Sequence, residues 1–151
     1  MKIALFPGSF DPITKGHENL IHRAIPFFDK IVIGIGVNTA KKYLFPLEDR
    51  VDYIRQCFAL NPKIEVCTYE KLTGEFCREI GAQFLIRGIR NAIDFQFEAD
   101  IARANQELFG LETLFWVTDG AYAHVSSSLV RDLYLNHGNY QKYIPKNVML
   151  R

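Results

Sequence analysis

The sequence predicts a single α/β domain of the doubly wound class, in which helices cover both faces of a five-stranded parallel sheet. Three observations support this prediction. Five short apolar runs alternate with segments of helical character. The runs are apolar along nearly their whole length, as strands buried on both faces are, and parallel neighbours need crossovers that are usually helical. The length of 151 residues, with 48% hydrophobic residues, fits one domain with a sizeable core.

The predicted elements follow one another as strand, helix, strand, helix. The strands are KIALF from Lys2, KIVIGIGV from Lys30, IEVCTY from Ile64, QFLIR from Gln83 and ETLFWV from Glu112. The helices extend roughly from Gly16 to Phe28, from Leu47 to Leu60, from Thr73 to Ile80 and from Asp94 to Phe109. The tail adds a helix from about Ser126 that ends by Gly138, and a shorter helical turn before Pro145. Gly81 and Gly110 stand where glycines end helices.

Composition excludes several classes of function. The formal net charge of +1 and the pI near 7.7 do not indicate the broad basic surface of an unspecific nucleic-acid binder, so we expect no nucleic-acid partner, although a local anion pocket is compatible with this charge. Cys57, Cys67 and Cys77 are an odd number without a CxxC pair, which argues against disulfides and zinc and favours a reducing, cytoplasmic compartment. The apolar run IVIGIGVNTA is about half of the ~20 residues that span a bilayer, so we expect no signal peptide and no membrane anchor.

The unusual segments of the chain all follow predicted strands. FPGSFDPITKGH follows the first strand, VNTAKKYLF the second, RGIRNAIDFQFE the fourth and TDGAYAHVSSS the fifth. In open α/β sheets, ligands bind beyond the carboxyl ends of the strands, where loops lead into helix N-termini that attract anions. Glycines, hydroxyls, lysines and arginines therefore converge on one edge of the sheet. This is the composition of a nucleotide phosphate site.

The first of these segments offers a serine and a histidine to an anion. Gly8 and Gly16 permit close backbone approach, Ser9 supplies a hydroxyl, and His17 stands in the first helical turn, where it can donate to a phosphate. The alternative is that His17 faces solvent and that the glycines and prolines only shape a turn. Neither GxGxxG nor GxxxxGKS/T is present, which weakens the dinucleotide dehydrogenase and P-loop interpretations.

Two arginines follow the fourth strand. Arg87 and Arg90 flank Gly88 directly after that strand, and a pair of guanidinium groups there is well suited to binding phosphate oxygens. The alternative is surface ion pairing with Asp94 and Glu98, about one helical turn away. The position at the strand's carboxyl end favours phosphate binding.

Three serines open the last helix. One serine is enough to cap it, and the other two, among Ser126, Ser127 and Ser128, can either bind a triphosphate or be ordinary surface residues. The adjacent Lys41 and Lys42 are, taken alone, typical of solvated loop lysines. Spacing alone assigns no role to the remaining histidines, His22, His124 and His137.

Three motifs together resemble one family. PGSFDPITKGH, RGIRNAIDFQFE and VSSSLVR, in this order and in a chain of this length, are similar to bacterial phosphopantetheine adenylyltransferases, and the resemblance covers nearly the whole chain. TxGH, here Thr14 to His17, is shared by a wider nucleotidyltransferase superfamily, whereas the other two motifs narrow the match. The resemblance implies one Rossmann-like nucleotidyltransferase domain over residues 1–151. It would transfer AMP from ATP to 4′-phosphopantetheine, with Mg²⁺, giving dephospho-coenzyme A and pyrophosphate in coenzyme A biosynthesis. A homohexamer is also implied, and feedback inhibition by coenzyme A is suggested.

The resemblance also implies roles for individual residues. The catalytic ones would be His17, Lys41 and Arg90, with His17 stabilising the transition state at the α-phosphate. Those that bind the acceptor would be Ser9, Lys41, Thr73, Arg87 and Asn105. Those that bind ATP would be Ser9, Phe10, His17, Gly88, Ile89, Arg90, Glu98, Tyr122, Ala123, His124, Val125, Ser126, Ser127 and Ser128. The ligands of magnesium are left open.

Two positions depart from the family's pattern. Ser9 replaces the usual threonine but keeps its hydroxyl, and TDGAYAH is a variable version of the loop before the serines. Two other functions fit the same sequence. One is a non-catalytic nucleotide- or flavin-binding module, since such domains share this size and alternation. The other is an adenylyltransferase for nicotinamide mononucleotide, which would reuse TKGH and the serine helix.

Overall fold

The computed structural model describes residues 1–151, and a five-stranded parallel sheet forms its centre, as predicted. The strands are β1 (Ile3–Gly8), β2 (Lys30–Gly36), β3 (Ile64–Tyr69), β4 (Phe84–Ile89) and β5 (Glu112–Val117). Their order is β3-β2-β1-β4-β5, and every neighbouring pair is parallel. The chain winds away from β1 in one direction and then crosses to its other side. This places a topological switch point between β1 and β4.

Five α-helices connect and follow the strands. They are α1 (Lys15–Ala24), α2 (Leu47–Cys57), α3 (Thr73–Ile80), α4 (Ala92–Phe109) and α5 (Ser127–Leu135). Short 3-10 segments lie at Ile25–Phe27, Gly120–Tyr122 and Tyr140–Tyr143, and the last is the helical turn predicted before Pro145. Gly81 and Gly110 end α3 and α4 with φ angles of 74° and 67°, a conformation that glycine adopts most easily.

The first two helices are shorter than predicted. The first predicted helix ends at Phe28, but α1 ends at Ala24 because Pro26 cannot donate to the helical ladder, and the chain tightens there into a 3-10 turn. The second predicted helix ends at Leu60, but α2 ends at Cys57, where a turn begins. The apolar spacing of the sequence continues past the observed ends of α1 and α2. The prediction therefore placed both helix ends too far along the chain.

The last two helices also differ at one end each. α4 begins at Ala92 rather than Asp94, because the Asn91 side chain accepts a hydrogen bond from the Asp94 N–H and so caps the helix earlier. α5 ends at Leu135, before the predicted Gly138. The shift of α4 matters for the site, because it brings the helix start next to the end of β4.

The sheet is buried on both faces, as its continuously apolar strands predict. One core cluster has 17 buried residues and takes Ala4, Phe6 and Ile33 from the strands. The other has 7 buried residues and takes neighbouring strand positions, among them Leu5 and Val32. Consecutive strand residues thus enter opposite cores, which is the arrangement of a doubly wound sheet.

β1 and β4 separate toward their carboxyl ends. β1 pairs with β2 from Ile3 to Gly8, whereas its pairing with β4 is limited to Ala4 and Leu5. The next residue of β1 whose main chain faces β4 is Pro7, since main-chain groups alternate between the two neighbours. Proline has no N–H to leave without a partner there. A crevice therefore opens at the switch point, and Pro7 leaves no main-chain N–H there without an acceptor.

α4 carries an unusual exposed face. Of its 18 residues only Ala99 is buried. Five large apolar side chains on it are exposed, and apart from Phe95 they lie on one side of the helix, namely Ile93, Phe97, Ile101 and Leu108. Their spacing of three to four residues, or multiples of it, aligns them as one stripe along the helix. None of the helices combines the length and apolar character that crossing a membrane requires.

Candidate functional site

The candidate site lies at the crevice between β1 and β4, and one part of it is a cavity of about 460 Å³, here called the large cavity. Residues from β1, β4, α3, α4 and the β2–α2 loop line it. All five residues that the resemblance assigns to the acceptor are among them: Ser9, Lys41, Thr73, Arg87 and Asn105. These residues are spread over much of the sequence, so only the fold brings them together.

A second cavity, here called the β4 cavity, lies along the end of that strand. Six of the residues implied to bind ATP line it, namely His17, Gly88, Arg90, Glu98, Tyr122 and Val125. Gly88 is needed for packing here, because a Cβ at this position would lie 2.4 Å from Leu20 Cδ1 in α1. The glycine thus lets α1, which carries His17, lie directly against β4.

A third cavity, here called the serine cavity, lies at the start of α5. Its lining includes Ser9, Phe10, His17, Lys41, Ser127 and Ser128. Three cations also line it, Lys41, Lys42 and Arg131, against one carboxylate, Asp11. That carboxylate already accepts hydrogen bonds from the main chain at Leu44 and Phe45, each at 2.9 Å. The serine cavity therefore has the charge balance of an anion site.

The three cavities meet around a few shared residues. His17 lines both the β4 cavity and the serine cavity. Ser9 and Lys41 line both the serine cavity and the large cavity, and Arg87 lines both the large cavity and the β4 cavity. Ligands bound in adjacent cavities would thus approach one another at these four side chains. The arrangement suits the alignment of two anionic reactants.

The start of α1 fixes the His17 ring. Thr14 caps the helix, and the two residues form a capping box in which His17 N–H donates to Thr14 Oγ1 at 3.3 Å and Thr14 N–H donates to His17 Nδ1 at 3.0 Å. The imidazole also packs against Phe10, with ring centres 5.0 Å apart. Because Nδ1 accepts, the proton of the neutral ring lies on Nε2. Nε2 is then the donor available to a ligand.

The ring is neutral at physiological pH. Burial, and to a smaller extent the positive charge of Arg87, lowers the pKa of His17 to about 4. The alternative of a solvent-facing first-turn residue does not describe this half-buried, double-hydrogen-bonded ring. His17 can therefore stabilise developing negative charge as an uncharged Nε2–H donor.

We expect an NMR titration to show His17 neutral down to about pH 5. The folded protein takes up this proton only near pH 4, whereas an unfolded chain takes it up near 6.5. The stability that depends on His17 is therefore complete above the unfolded pKa and is lost as the pH falls toward the folded pKa. The His17→Gln variant identifies the resonance and should lose less stability on acidification. A midpoint near 6.5 would contradict the buried, neutral ring.

Arg87 lies inside β4 rather than at its end, because the strand continues to Ile89, two residues past the predicted run QFLIR. Its guanidinium pairs with the Glu98 carboxylate through Nε at 2.9 Å and Nη2 at 2.6 Å, and Nη1 donates to the Pro7 carbonyl at 2.9 Å. The ion-pairing alternative is thus realised for this residue. Of the five N–H groups of an arginine, two are left for a phosphate. Glu98, which the resemblance assigns to ATP, is held in place by Arg87.

Arg90 also has an acidic partner, but a weaker one. Its Nε lies 3.3 Å from Asp94 Oδ2, and both side chains are partly exposed. Exposed pairs of this kind contribute only about 0 to 1 kcal/mol, so a nucleotide can displace Asp94 from Arg90. Lys41 is freer still, since its Nζ is exposed and its polar side-chain contact is with Ser9 Oγ at 3.5 Å.

The three serines at α5 have separate tasks. Ser126 is the cap, since its Oγ accepts from the Leu129 N–H at 3.1 Å. Ser127 Oγ donates to the Pro12 carbonyl at 2.7 Å and so ties α5 to the β1–α1 loop. Ser128 is exposed at the serine cavity and makes no side-chain hydrogen bond. Two of the three hydroxyls are thus used within the chain.

Four residues implied to bind ATP do not line these three cavities: Ile89, Ala123, His124 and Ser126. The ring of His124 packs against Tyr143 instead, with ring centres 5.6 Å apart. Phe10 does line the serine cavity, but only 2% of it is exposed, and its φ of 48° is rare for a bulky residue. Contacts between ATP and Phe10 would therefore be largely with its main chain.

The structure also brings in residues to which the sequence interpretation gave no role. Arg131 lines the serine cavity and donates to the Asp11 carbonyl at 3.0 Å. Its signal was present in VSSSLVR, because residue 131 is one helical turn beyond Ser127 and Ser128 and so shares their face. Arg50 contacts the β1–α1 and β2–α2 loops through its guanidinium, and no sequence motif marked it as a functional residue.

The fold and the site together define a class of enzyme. An anion-binding crevice at the switch point of a parallel sheet, with TxGH at the first helix, is the arrangement of a nucleotidyltransferase. Residues 5–133 match the cytidylyltransferase-like family, in agreement with this class. Among solved structures, a bifunctional NMN adenylyltransferase/ADP ribose pyrophosphatase from Francisella tularensis has a TM-score of 0.74 at 17% identity. The match covers 97% of this chain and 45% of that one, and it shows the shared fold.

Curated relatives narrow the class. The phosphopantetheine adenylyltransferase of Flavobacterium psychrophilum is 47% identical over 151 residues, which is the full length of both chains. That of Bacteroides thetaiotaomicron is 42% identical over 148 residues, or 98% of each chain. The chain belongs to the phosphopantetheine adenylyltransferase family.

Proposed function

We propose that the protein transfers AMP from ATP to 4′-phosphopantetheine, giving dephospho-coenzyme A and pyrophosphate, and that the two substrates bind in adjoining cavities. One observation carries the residue assignment: the five residues implied to bind the acceptor line a single cavity, which borders the two cavities lined by residues implied to bind ATP. The family membership supports the reaction itself.

We assign the acceptor to the large cavity. Its phosphate would lie near Ser9, Lys41 and Arg87, because these residues also border the other cavities, and the reacting groups must meet there. The pantetheine arm would extend over Thr73 and Asn105, on α3 and α4. Apolar side chains between them, such as Leu85 and Ile101, suit its hydrocarbon parts.

We assign ATP to the other two cavities. The nucleoside would occupy the β4 cavity, beside Gly88, Arg90 and Tyr122, and the β- and γ-phosphates would occupy the cationic serine cavity. The α-phosphate would then lie where these two cavities meet, next to His17. In this position the Nε2–H of the ring can stabilise the charge that develops on the α-phosphate oxygens.

The chemistry needs little more than positioning. The acceptor is a phosphate monoester that is already anionic at neutral pH, so its oxygen can attack the α-phosphorus without a base to remove a proton. A new P–O bond forms, the bond to the β-phosphate oxygen breaks, and pyrophosphate leaves. Alignment of the reactants can contribute ~7 to 11 kcal/mol and one well-aimed donor ~3 to 4 kcal/mol. Lys41 and Arg90 would offset the repulsion between the two anions.

Magnesium is expected to enter with the nucleotide. No group of three or more His, Cys, Asp or Glu side chains stands close enough together to hold a metal ion. The residues therefore do not build a magnesium site of their own. Mg²⁺ commonly keeps several waters and takes its other ligands from nucleotide phosphates, which is the binding mode that we propose here.

The first experiment measures pyrophosphate release with ATP and Mg²⁺. Parallel reactions contain 4′-phosphopantetheine, nicotinamide mononucleotide or no acceptor. We expect release with 4′-phosphopantetheine alone and an equal amount of dephospho-coenzyme A. Activity with nicotinamide mononucleotide instead would favour the second candidate, which the fold of the Francisella tularensis enzyme makes worth testing. A folded protein that binds ATP but is inactive with every acceptor would point to a non-catalytic nucleotide-binding module.

We also propose that the protein is a homo-oligomer, by resemblance a homohexamer, with α4 in its interface. The exposed apolar stripe on α4 supports this proposal, because large apolar patches on soluble domains commonly mark interfaces. We expect Ile93→Lys combined with Phe97→Lys to give a smaller particle by size-exclusion chromatography with light scattering. Leu60→Lys, at a fully exposed site outside α4, is the control. An unchanged particle mass in the α4 variant would contradict the assignment.

A cytoplasmic location and inhibition by coenzyme A complete the proposal. All three cysteines are unpaired, which supports a reducing compartment. Coenzyme A shares the pantetheine arm with the acceptor, so competition with 4′-phosphopantetheine in the same assay is the expected form of inhibition.

A further inference from the structure

Arg50 is a buried charge that the proposed reaction does not use. It lies in α2 and is only 3% exposed. Its guanidinium donates to two main-chain carbonyls, from Nε to Phe45 at 3.0 Å and from Nη1 to Ser9 at 2.9 Å. Burying a guanidinium is unfavourable unless its contacts are well formed. The position of these two carbonyls indicates what the residue does.

The two carbonyls belong to different loops. Ser9 lies in the loop between β1 and α1, and Phe45 lies in the loop between β2 and α2. The guanidinium also stacks on the ring of Tyr43, 4.0 Å from the ring centre. Asp11 joins the same loops from the other direction, since its carboxylate accepts from the N–H groups of Leu44 and Phe45. Arg50 and Asp11 therefore form a clasp, here called the loop clasp.

Lys41 depends on this clasp because little else holds its loop. Residues 38–42 are all exposed. The Lys41 N–H donates to the Asn38 carbonyl within the loop at 3.1 Å, and its side chain reaches Ser9 Oγ at 3.5 Å and lies 5.5 Å from the centre of the Tyr43 ring. Two of these neighbours, Ser9 and Tyr43, are contacted directly by Arg50.

We propose that Arg50, together with Asp11, is a positioning residue that sets the spacing between Ser9 and Lys41 for the acceptor phosphate. This inference rests on the proposed function, in which these two side chains bind that phosphate. The planar guanidinium suits the task, because it bonds to both carbonyls and stacks on an aromatic ring at once. Lysine, with a single ammonium on a flexible stem, cannot reproduce this set of contacts.

The first test compares steady-state kinetics of three variants. Arg50→Met keeps the length of the side chain but loses the guanidinium, and Arg50→Lys keeps the charge. We expect each to raise KM for 4′-phosphopantetheine and to lower kcat, with a loss in kcat/KM of about 10- to 100-fold, because small displacements of binding groups have such effects. Arg55→Met is the matched control, on the same helix but exposed. Wild-type kinetics in both Arg50 variants would overturn the proposal.

A double-mutant cycle with Lys41 separates positioning from general loss of structure. In a Lys41→Met background, Arg50→Met should lower kcat/KM by a clearly smaller factor than in the wild type, because one of the two side chains that it positions is gone. If Arg50→Met has the same effect with and without Lys41, Arg50 does not act through Lys41 and the inference is wrong. Thermal unfolding is measured for each variant, so that only folded proteins enter the comparison.

Limited proteolysis tests the loop clasp without relying on activity. Lys41 and Lys42 are exposed trypsin sites in the clasped loop. Cleavage after them should be faster in both Arg50 variants than in the wild type or in Arg55→Met. Unchanged cleavage would overturn the clasp, whereas faster cleavage in a chain that does not use 4′-phosphopantetheine would reject the proposed function and leave the clasp standing.

Discussion

Replacing His17 by alanine is expected to lower turnover by on the order of 10²- to 10³-fold while ATP still binds. The reason is that Nε2 is the donor next to the proposed position of the α-phosphate, and the charge that it stabilises develops only in the transition state. The measurement is kcat for pyrophosphate release, with the dissociation constant of ATP determined separately by calorimetry.

The His17 experiment needs a control for stability, because the same ring accepts the Thr14 N–H in the capping box. His17→Ala leaves the Thr14 cap in place and removes only this reciprocal hydrogen bond, which contributes about 0.5 to 1.5 kcal/mol of stability. His17→Gln is the matched variant, since glutamine is a usual partner at this position of a capping box. It should restore much of the stability of the alanine variant but not the turnover. Normal turnover in His17→Ala would reject the catalytic role.

Arg87→Ala and Arg90→Ala are expected to affect different substrates. Arg87 lines the large cavity and should mainly raise KM for 4′-phosphopantetheine, whereas Arg90 lines the β4 cavity alone and should mainly raise KM for ATP. A lost hydrogen bond to a charged group is worth about 1.5 to 3 kcal/mol, which corresponds to an effect of about 10- to 100-fold. Equal losses for both substrates in both variants would contradict the assignment.

The Arg87 variant also needs a second change to be interpreted. Arg87→Ala leaves the Glu98 carboxylate, whose side chain is 13% exposed, without its bidentate partner. Breaking a buried pair in this way destabilises a protein by about 3 to 5 kcal/mol, and the partial exposure of Arg87 makes a smaller value, about 1 to 3 kcal/mol, reasonable here. Adding Glu98→Gln removes the unpaired charge and should restore stability. The raised KM for 4′-phosphopantetheine should remain.

The fold was predictable because its strongest determinants are local. Continuous apolar strands separated by helices are typical of one architecture, and the sheet confirms it. The helix ends were less predictable. Pro26 ends α1 early, and Asn91 starts α4 early through one side-chain hydrogen bond. Such ends depend on single contacts, which hydrophobic spacing does not report.

The site was predictable in position more than in detail. The rule that ligands bind at strand ends placed Ser9, His17 and Arg87 at one edge. The sequence left two options open for Arg87, an ion pair with Glu98 or phosphate binding. Sequence spacing cannot distinguish a guanidinium that pairs with a carboxylate from one that is available to a phosphate. The role of Arg50 could not be predicted, because an arginine in a polar helix is usually solvated and only the structure shows that this one is buried.

α4 has two faces with different neighbours. Glu98, Ala102 and Asn105 line the large cavity, while Ile93 and Phe97 are exposed on the stripe proposed to meet another copy. If assembly orders this helix, subunit association and acceptor binding share one free energy of coupling. Each must then strengthen the affinity of the other by the same factor. Dilution that separates the subunits would then weaken the affinity for the pantetheine arm, and a saturating acceptor would hold the assembly together.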